Sequence, residues 1–73
     1  MKGTNMTIGE QLRYFRKRKG LTLKVLAAAC DLSISYLSDI ERGRVNPSLE
    51  TCAKLARAYE ITLTLLFAGV EVE

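Results

Sequence analysis

The segment from Thr22 to Gly43 carries two helix-start signals and two helix-stop signals within a short stretch of chain. Thr22 and Ser33 are suited to cap helix N-termini, because a side-chain oxygen accepts a hydrogen bond from a free amide of the first turn. Asp31 stands where the chain must turn sharply, and Gly43 suits the positive φ that follows a helix. The segment therefore predicts two short helices joined by about three residues, which is the outline of a helix-turn-helix.

A first helix is predicted before this pair. The run Thr7-Ile8-Gly9-Glu10 supplies a capping box, in which the Thr oxygen and the Glu carboxylate each bind a free amide. Apolar residues then recur on one helix face at Ile8, Leu12 and Phe15. Gly20 provides a left-handed stop after Lys19, so this helix is expected over about 8 to 19.

Two more helices are predicted after a loop over 44–47. Ser48 is the N-cap of a fourth helix, and Thr62 is the N-cap of a brief fifth helix that ends at Gly69. The residues of helices two to five that are predicted to face inward are Leu26, Ala27, Cys30, Leu37, Ile40, Leu49, Cys52, Leu55, Ala56, Tyr59, Leu63, Leu66 and Phe67. The sequence therefore predicts an all-α, compact five-helix bundle that forms a single domain over 1–73, with its core in 7–69.

Charge adds a modest bias toward anionic partners. The chain carries 11 Lys and Arg against 8 Asp and Glu, a formal charge of +3. Five cations lie close together: Arg13, Arg16, Lys17, Arg18 and Lys19. Such a run is either a solvated helix face or part of a polyanion-binding surface, and the neighbouring motif has to decide between them.

The two cysteines are not spaced as metal ligands. Cys30 and Cys52 lie far apart, and the chain has no histidine, so neither a usual zinc site nor an imidazole base is available. Both fall on inward helix positions, where a free cysteine serves as a small buried hydrophobe, and both are expected to be reduced. No metal and no cofactor is expected.

Five segments in a fixed order carry a family resemblance. They are Ile8-Gly9-x-x-Leu12-x-x-x-Arg16, Gly20-Leu21-Thr22, Leu26-Ala27, Ser33-x-x-Tyr36-Leu37-Ser38-x-Ile40-Glu41-Arg42-Gly43 and Asn46-Pro47-Ser48-Leu49. Each segment alone is unspecific, but their order and spacing together are specific. From Ile8 to Phe67 the chain resembles the phage repressor and Cro-like helix-turn-helix regulators, also called the XRE family.

The resemblance implies that the third helix enters the major groove of duplex DNA, with its early residues nearest the base edges. That role falls on Ile34, Ser35 and Asp39, with Ser38 beside them. A serine hydroxyl donates or accepts at several bases, and an isoleucine contacts a thymine methyl group. Asp39 has two alternatives: it accepts a hydrogen bond from cytosine, or it is a solvent-facing carboxylate or the partner of a nearby cation.

Phosphate contacts are implied at the start of the second helix and around the loop into the fourth. The residues at these positions are Thr22, Arg42, Arg44 and Ser48. For Ser48 the alternative is capping alone, although one serine is able to fill both roles. For Arg44 the alternative is plain solvation.

The family pattern also implies a structural ion pair between Arg16 and Glu41, which joins the first helix to the end of the third. Arg16 follows Phe15 beside the buried stripe, and a partly buried arginine needs a carboxylate partner. Arg16 is therefore subtracted from the charge that faces DNA.

Several positions depart from the family pattern. Leu23 stands where glutamine is frequent, and leucine cannot make glutamine's hydrogen bond to phosphate. Asp31 stands where glycine is frequent, but Asp tolerates the left-handed region. Apolar residues replace the usual polar ones at Val25, Ala28, Ala29 and Leu65. If they are exposed, Val25 and Leu65 are candidates for an interface.

These features indicate a DNA-binding transcriptional regulator, a repressor or autoregulator that binds a roughly palindromic operator as a homodimer. Controller proteins of restriction-modification systems, small phage repressors and DNA-binding antitoxins all fit, and the sequence does not separate them. A protein-interaction module of the same fold, without DNA binding, is the alternative. It is favoured by Leu23 and Asp39 and by the apolar Val25 and Leu65. An enzyme is the other rival, but no nucleophile with an activating base is recognisable.

The dimer is expected to form through the fifth helix and the residues after it. The candidates are Leu65, Phe67, Val70 and Val72. The apolar residues of this short helix cover more than one face, so a single inward stripe does not bury them all. The alternative is a simply exposed Leu65 and a frayed chain end.

The sequence also bears on where the protein works. It shows no signal-peptide run and no apolar span of the roughly 18 residues that a membrane crossing needs. We therefore expect a cytoplasmic, nucleoid-associated protein without membrane contact. A chain of 73 residues leaves no room for an effector domain beside the bundle, so no small-molecule effector is expected.

Overall fold

The computed structural model describes residues 6–70. The helices in that range are α1 (Ile8–Arg18), α2 (Leu23–Cys30), α3 (Ile34–Glu41), α4 (Leu49–Tyr59) and α5 (Leu63–Phe67). The predicted all-α, five-helix fold is therefore confirmed. No helix among these residues combines the length and the apolar character that crossing a membrane requires.

Each helix begins at a residue that the sequence marks as an N-cap. The five caps are Thr7, Thr22, Ser33, Ser48 and Thr62, and each side chain accepts a hydrogen bond from the amide three residues later. The capping box of Thr7 and Glu10 is also formed. Because capping is a local interaction, these starts are determined by the sequence next to them.

The helix ends are less predictable than the starts. Gly20, Gly43 and Gly69 have φ of 75°, 81° and 82°, as the predicted stops require. Asp31 ends α2 in the left-handed region at φ 58°. Glu60 ends α4 in the same region at φ 63°, a conformation that nothing in the sequence predicts for a glutamate.

The core is built from apolar side chains of all five helices. Its most deeply buried members, each no more than 1% exposed, are Leu12, Leu26, Leu37, Ile40, Leu55 and Leu66. Cys30 and Cys52 are also buried and are free thiols, and burial raises the pKa of both. This is the packing role that the sequence predicts for the two cysteines.

Two predicted core residues, Leu49 and Phe67, are exposed instead. Leu49 is 68% exposed, although the periodicity of α4 places it on the inward face. It is the first residue of α4 and lines a surface groove that is open to solvent. Phe67, at the end of α5, lines the same groove and is 39% exposed.

The two ends of the described chain meet beside α5. Met6 and Val70 form an isolated parallel bridge, and the Met6 amide donates a hydrogen bond to the Gly69 carbonyl at 3.0 Å. The buried Gln11 side chain of α1 donates from Nε2 to the Ala68 carbonyl at 2.8 Å. These contacts hold the residues after α5 against α1.

Candidate DNA-binding surface

The exposed face of α3 is created by the way the helix is seated. Leu37 and Ile40 are 1% exposed and fix α3 on α1 and α2. The opposite side leaves Ile34 48% exposed and Ser35 exposed. Ser38 is half-buried, since it lies one turn further along the helix, closer to α1 and α2. The first turn of α3 therefore offers an isoleucine and a serine to a partner.

Two residues predicted for different contacts lie next to each other. Arg44 Nη1 is 3.7 Å from Asp39 Oδ1, and the two side chains are 65% and 40% exposed. A long, exposed contact of this kind is weak, so either side chain is free to leave it for another partner. In the structure, Asp39 therefore lies beside a nearby cation, Arg44, which is one of the alternatives that the sequence leaves open for it.

Thr22 and Ser48, two predicted phosphate-binding residues, both cap helices. The Thr22 hydroxyl accepts from the Val25 amide at 3.1 Å, and the Ser48 hydroxyl accepts from the Thr51 amide at 3.1 Å. Both residues remain exposed, and each lies at a helix N-terminus that presents positive partial charge. Arg42, a third predicted residue, is exposed at the end of α3.

A hydroxyl cluster that the sequence reasoning missed connects α3 to the start of α4. The Ser48 hydroxyl donates to Thr51 Oγ1 at 3.1 Å, and Thr51 Oγ1 is 3.3 Å from the Tyr36 hydroxyl. Thr51 is buried, and its position within α4 carries no signal for this contact. The cluster holds the Ser48 cap at a fixed position relative to α3.

The structure brings Arg16 and Glu41 together. Arg16 Nε and Nη2 donate to the two oxygens of the Glu41 carboxylate at 2.7 and 3.0 Å, and the side chains are only 11% and 7% exposed. Arg16 Nη1 also donates to the Leu21 carbonyl at 2.9 Å. The hydrogen bonds from Arg16 to Glu41 raise the pKa of the guanidinium. One arginine thus joins α1, the loop before α2 and the end of α3.

Gly9 allows the backbones of α1 and α3 to approach each other. A Cβ at this position would lie 2.4 Å from the Ile40 carbonyl oxygen and 2.9 Å from that of Glu41. Contacts this short would force the two backbones to shift for any residue that has a Cβ, so the observed approach depends on glycine. The end of α3 is therefore held against α1 by a backbone contact as well as by the ion pair.

The basic run of α1 separates into engaged and unengaged residues. Arg16 binds Glu41. Arg18 lies 5.6 Å from the centroid of the Tyr14 ring and donates a hydrogen bond to the Tyr14 hydroxyl. Lys19 pairs with Glu60 and lowers the pKa of the Glu60 carboxyl. Arg13 and Lys17 take no ion-pair or side-chain hydrogen-bond partner among residues 6–70.

Exposed apolar side chains lie around the start of α4 and along α5. Leu49 and Phe67 line a shallow groove between the start of α4 and the end of α5. Leu65 is 47% exposed elsewhere on α5. Val70 is half-buried beside Met6, and Val72 lies outside the described residues. The predicted interface residues that the structure describes are therefore spread over more than one side of α5.

Comparisons with known proteins agree with this geometry. A helix-turn-helix family model matches residues 12–66. The HTH-type transcriptional regulator DdrOP3 of Deinococcus deserti is 53% identical over 66 residues, which are 90% of this chain and 51% of that regulator. The chain thus spans only about half the length of that regulator.

Solved structures give the same result. The clp gene regulator ClgR of Corynebacterium glutamicum has a TM-score of 0.82 and 39% identity, covering 85% of this chain and 66% of ClgR. SinR, a master regulator for biofilm formation, was solved in complex with DNA. That structure has a TM-score of 0.77 and 34% identity, covering 84% of this chain and 98% of the SinR chain. SinR of Bacillus subtilis is a relative by sequence as well, 37% identical over 68 residues.

Proposed function

The chain belongs to the helix-turn-helix family of DNA-binding transcriptional regulators, and from that premise we propose that it binds an operator in duplex DNA as a homodimer. The observation that carries the proposal is the seating of α3. Its inward residues Leu37 and Ile40 are buried, while Ile34 and Ser35 are left exposed on its first turn. An exposed first turn on a firmly seated helix is what reading of base edges in the major groove requires.

We assign base contacts to Ile34 and Ser35, with Ser38 and Asp39 on the next turn. Asp39 meets a base only when it leaves Arg44, and their 3.7 Å contact is weak enough to exchange. When the contact between them breaks, Asp39 is free to meet a base and Arg44 is free to bind a phosphate.

We assign the remaining phosphate contacts to the exposed residues around α3. Thr22 and Ser48 sit at helix N-termini, where capping and anion binding are compatible, and Arg42 extends from the end of α3. These contacts set the register of α3 on the duplex, whereas the base contacts select the sequence.

The proposed homodimer uses the exposed apolar residues around α5. Leu65 and Phe67 are 47% and 39% exposed, and Leu49 adds a third large apolar side chain that the sequence analysis placed in the core. A twofold pair joined through α5 is proposed to leave both copies of α3 free. Their separation is set by the need to enter successive major grooves, about 34 Å apart.

The test of DNA binding separates residues that contact bases from residues that contact phosphates. Operators are first selected from a random duplex library, and affinity is then measured on selected and random duplexes across a salt series. Arg44→Ala is expected to weaken both similarly and to reduce the salt slope by about one unit. Ser35→Ala is expected to change the preference among operators. Arg57→Ala removes an exposed cation from α4 and is the matched control.

The outcomes of this test are distinct. A wild type whose affinity for duplex DNA does not fall steeply with salt contradicts DNA binding and favours a protein-interaction module, to which the 52% exposed Val25 is suited. An equal loss on all sequences for Ser35→Ala contradicts its base-reading role alone.

The dimer is tested by sedimentation equilibrium. The wild type is expected to be dimeric at micromolar concentration, and Leu65→Glu combined with Phe67→Glu is expected to be monomeric. Leu49→Glu, made separately, tests whether the groove beside Phe67 belongs to the same interface. A wild type that stays monomeric at high micromolar concentration contradicts the homodimer.

The proposal contains no catalytic step, since binding and release of DNA account for the whole function. Repression or autoregulation follows if the operator overlaps a promoter. Because the proposed ligand is duplex DNA, the proposed place of action is the cytoplasm, at the nucleoid.

A further inference from the structure

A surface recess of about 290 Å³ lies between α1, the start of α2 and the end of α3. It is lined by Arg13, Arg16, Leu23, Ser38, Glu41 and Arg42. The Arg16–Glu41 pair is its buried part and is neutral overall. The net charge of the recess therefore comes from Arg13 and Arg42, two exposed arginines that take no ion-pair or side-chain hydrogen-bond partner among residues 6–70.

The recess adjoins the proposed reading face of α3. Ser38 lines the recess and lies one helical turn from Ser35. An α-helix with its side chains is about 10–12 Å across, and the major groove is about 12 Å wide, so the groove walls lie against the elements beside the inserted helix. With α3 in the groove, a recess that Ser38 of α3 lines lies beside one wall, where the sugar-phosphate chain of the duplex runs.

Position 23 itself offers no hydrogen-bond donor to the recess. Leu23 is half-buried, packs against the core and cannot donate a hydrogen bond. The Thr22 hydroxyl accepts from the Val25 amide, and its own O–H stays available as a neutral donor. The charged donors to a phosphate at this place are the guanidinium groups of Arg13 and Arg42, whose planar forks match phosphate oxygens.

We propose that Arg13 is a phosphate-binding residue that, together with Arg42, replaces the hydrogen bond that leucine at position 23 cannot provide. This inference rests on the proposed function and adds α1 to the DNA-contacting surface. The contact is to phosphate, so it acts on affinity for all sequences and not on the choice of operator.

The first arm of the test compares two arginines of α1. Arg13→Ala is expected to weaken binding to a selected operator and to a random duplex roughly tenfold, and to reduce the salt slope by about one unit. Arg18→Ala makes the same change of charge, but Arg18 lies over the Tyr14 ring and does not line the recess. Its expected loss is much smaller. Thermal melts of both variants check that the fold is intact.

The second arm tests replacement directly. Leu23→Gln is expected to restore most of the lost affinity in the Arg13→Ala background and to add little in the wild-type background. Equal losses for Arg13→Ala and Arg18→Ala overturn the proposal, because they show a general charge effect. Equal gains from Leu23→Gln in both backgrounds overturn the replacement. A wild type without salt-dependent DNA binding overturns the proposed function as well, whereas normal binding by Arg13→Ala overturns this inference alone.

Discussion

The third and fifth helices both pack against α1, but different interactions attach them. The α3 anchor consists of Gly9, Arg16 and Glu41: a buried bidentate ion pair and a backbone contact too close for any side chain. The α5 anchor consists of Met6, Gln11 and the residues 68–70: one buried side-chain hydrogen bond, one backbone hydrogen bond and an isolated bridge.

The difference follows from what each helix leaves exposed. The first turn of α3 keeps Ile34 and Ser35 at the surface, so directional contacts at its other end have to fix its orientation. The five-residue α5 buries Leu66 and leaves Leu65 and Phe67 exposed, which suits a helix completed by a partner. One anchor holds a helix in a fixed orientation, and the other leaves apolar surface available.

The largest effect is expected at the α3 anchor. Arg16→Ala leaves the carboxylate of Glu41 buried and without its partner, which is expected to lower the free energy of unfolding by about 3–5 kcal/mol. Urea denaturation measures it. Lys19→Ala is the control, because it removes an exposed ion pair that water and salt screen, so a much smaller loss is expected. Similar losses for both variants would mean that the Arg16–Glu41 pair behaves as a surface contact.

The next effect tests the backbone contact of the same anchor. Gly9→Ala places a Cβ 2.4 Å from the Ile40 carbonyl and is expected to cost about 1–3 kcal/mol by overpacking. Because the clash pushes on the end of α3, DNA affinity should fall more than the stability loss accounts for. Gly20→Ala is the control: it meets no neighbour within 4 Å and strains only its own φ of 75°. If both variants bind DNA equally well, Gly9 does not position α3.

The contrast between the anchors also shows what the sequence was able to predict. The five helix starts were predicted correctly, because each depends on a Ser or Thr next to the helix. The Arg16–Glu41 pair was implied by the family resemblance and not by spacing alone. Both features rest on sequence motifs: a local cap in one case, and the quoted family segments in the other.

The contacts that sequence reasoning missed depend on where a helix lies in the bundle. Periodicity places Leu49 on the inward face of α4, but only the fold shows that the side chain of this first helical residue is 68% exposed. The bond from Gln11 to the Ala68 carbonyl joins residues 57 positions apart. The hydroxyl cluster of Tyr36 and Thr51 joins two helices that share no local pattern.

A smaller effect is expected at the α5 anchor. Gln11→Leu removes the buried donor to the Ala68 carbonyl, at a cost of about 0.5–1.5 kcal/mol. Amide exchange should become faster in α5 and in the residues after it, while the amides of α3 keep their protection. Equal acceleration in both helices would show that the two anchors open as one cooperative unit and do not hold α3 and α5 independently.

The smallest effect concerns Tyr59, which belongs to neither anchor. Its ring stacks on Phe15 with centroids 6.3 Å apart, and its buried hydroxyl has no hydrogen-bond partner among residues 6–70. Burial, with a smaller contribution from the charge of Glu41, raises the pKa of this phenol above its ordinary value of 10.0. The hydroxyl is therefore a buried polar group that costs desolvation and receives little in return.

Tyr59→Phe is accordingly expected to leave stability at pH 7 unchanged or to raise it by up to about 1 kcal/mol. The effect has a predictable pH dependence. Below about pH 10 the phenol is protonated in both the folded and the unfolded chain, but above it the unfolded chain loses the proton and the folded chain keeps it. The wild type should therefore lose stability as the pH rises through 10, and the advantage of Tyr59→Phe should grow over the same range. Urea denaturation at pH 7, 9 and 10.5 measures both effects. A variant that is less stable than the wild type at pH 7 would show that the hydroxyl has a stabilising partner, and Tyr59 would then belong with the polar contacts that hold α3.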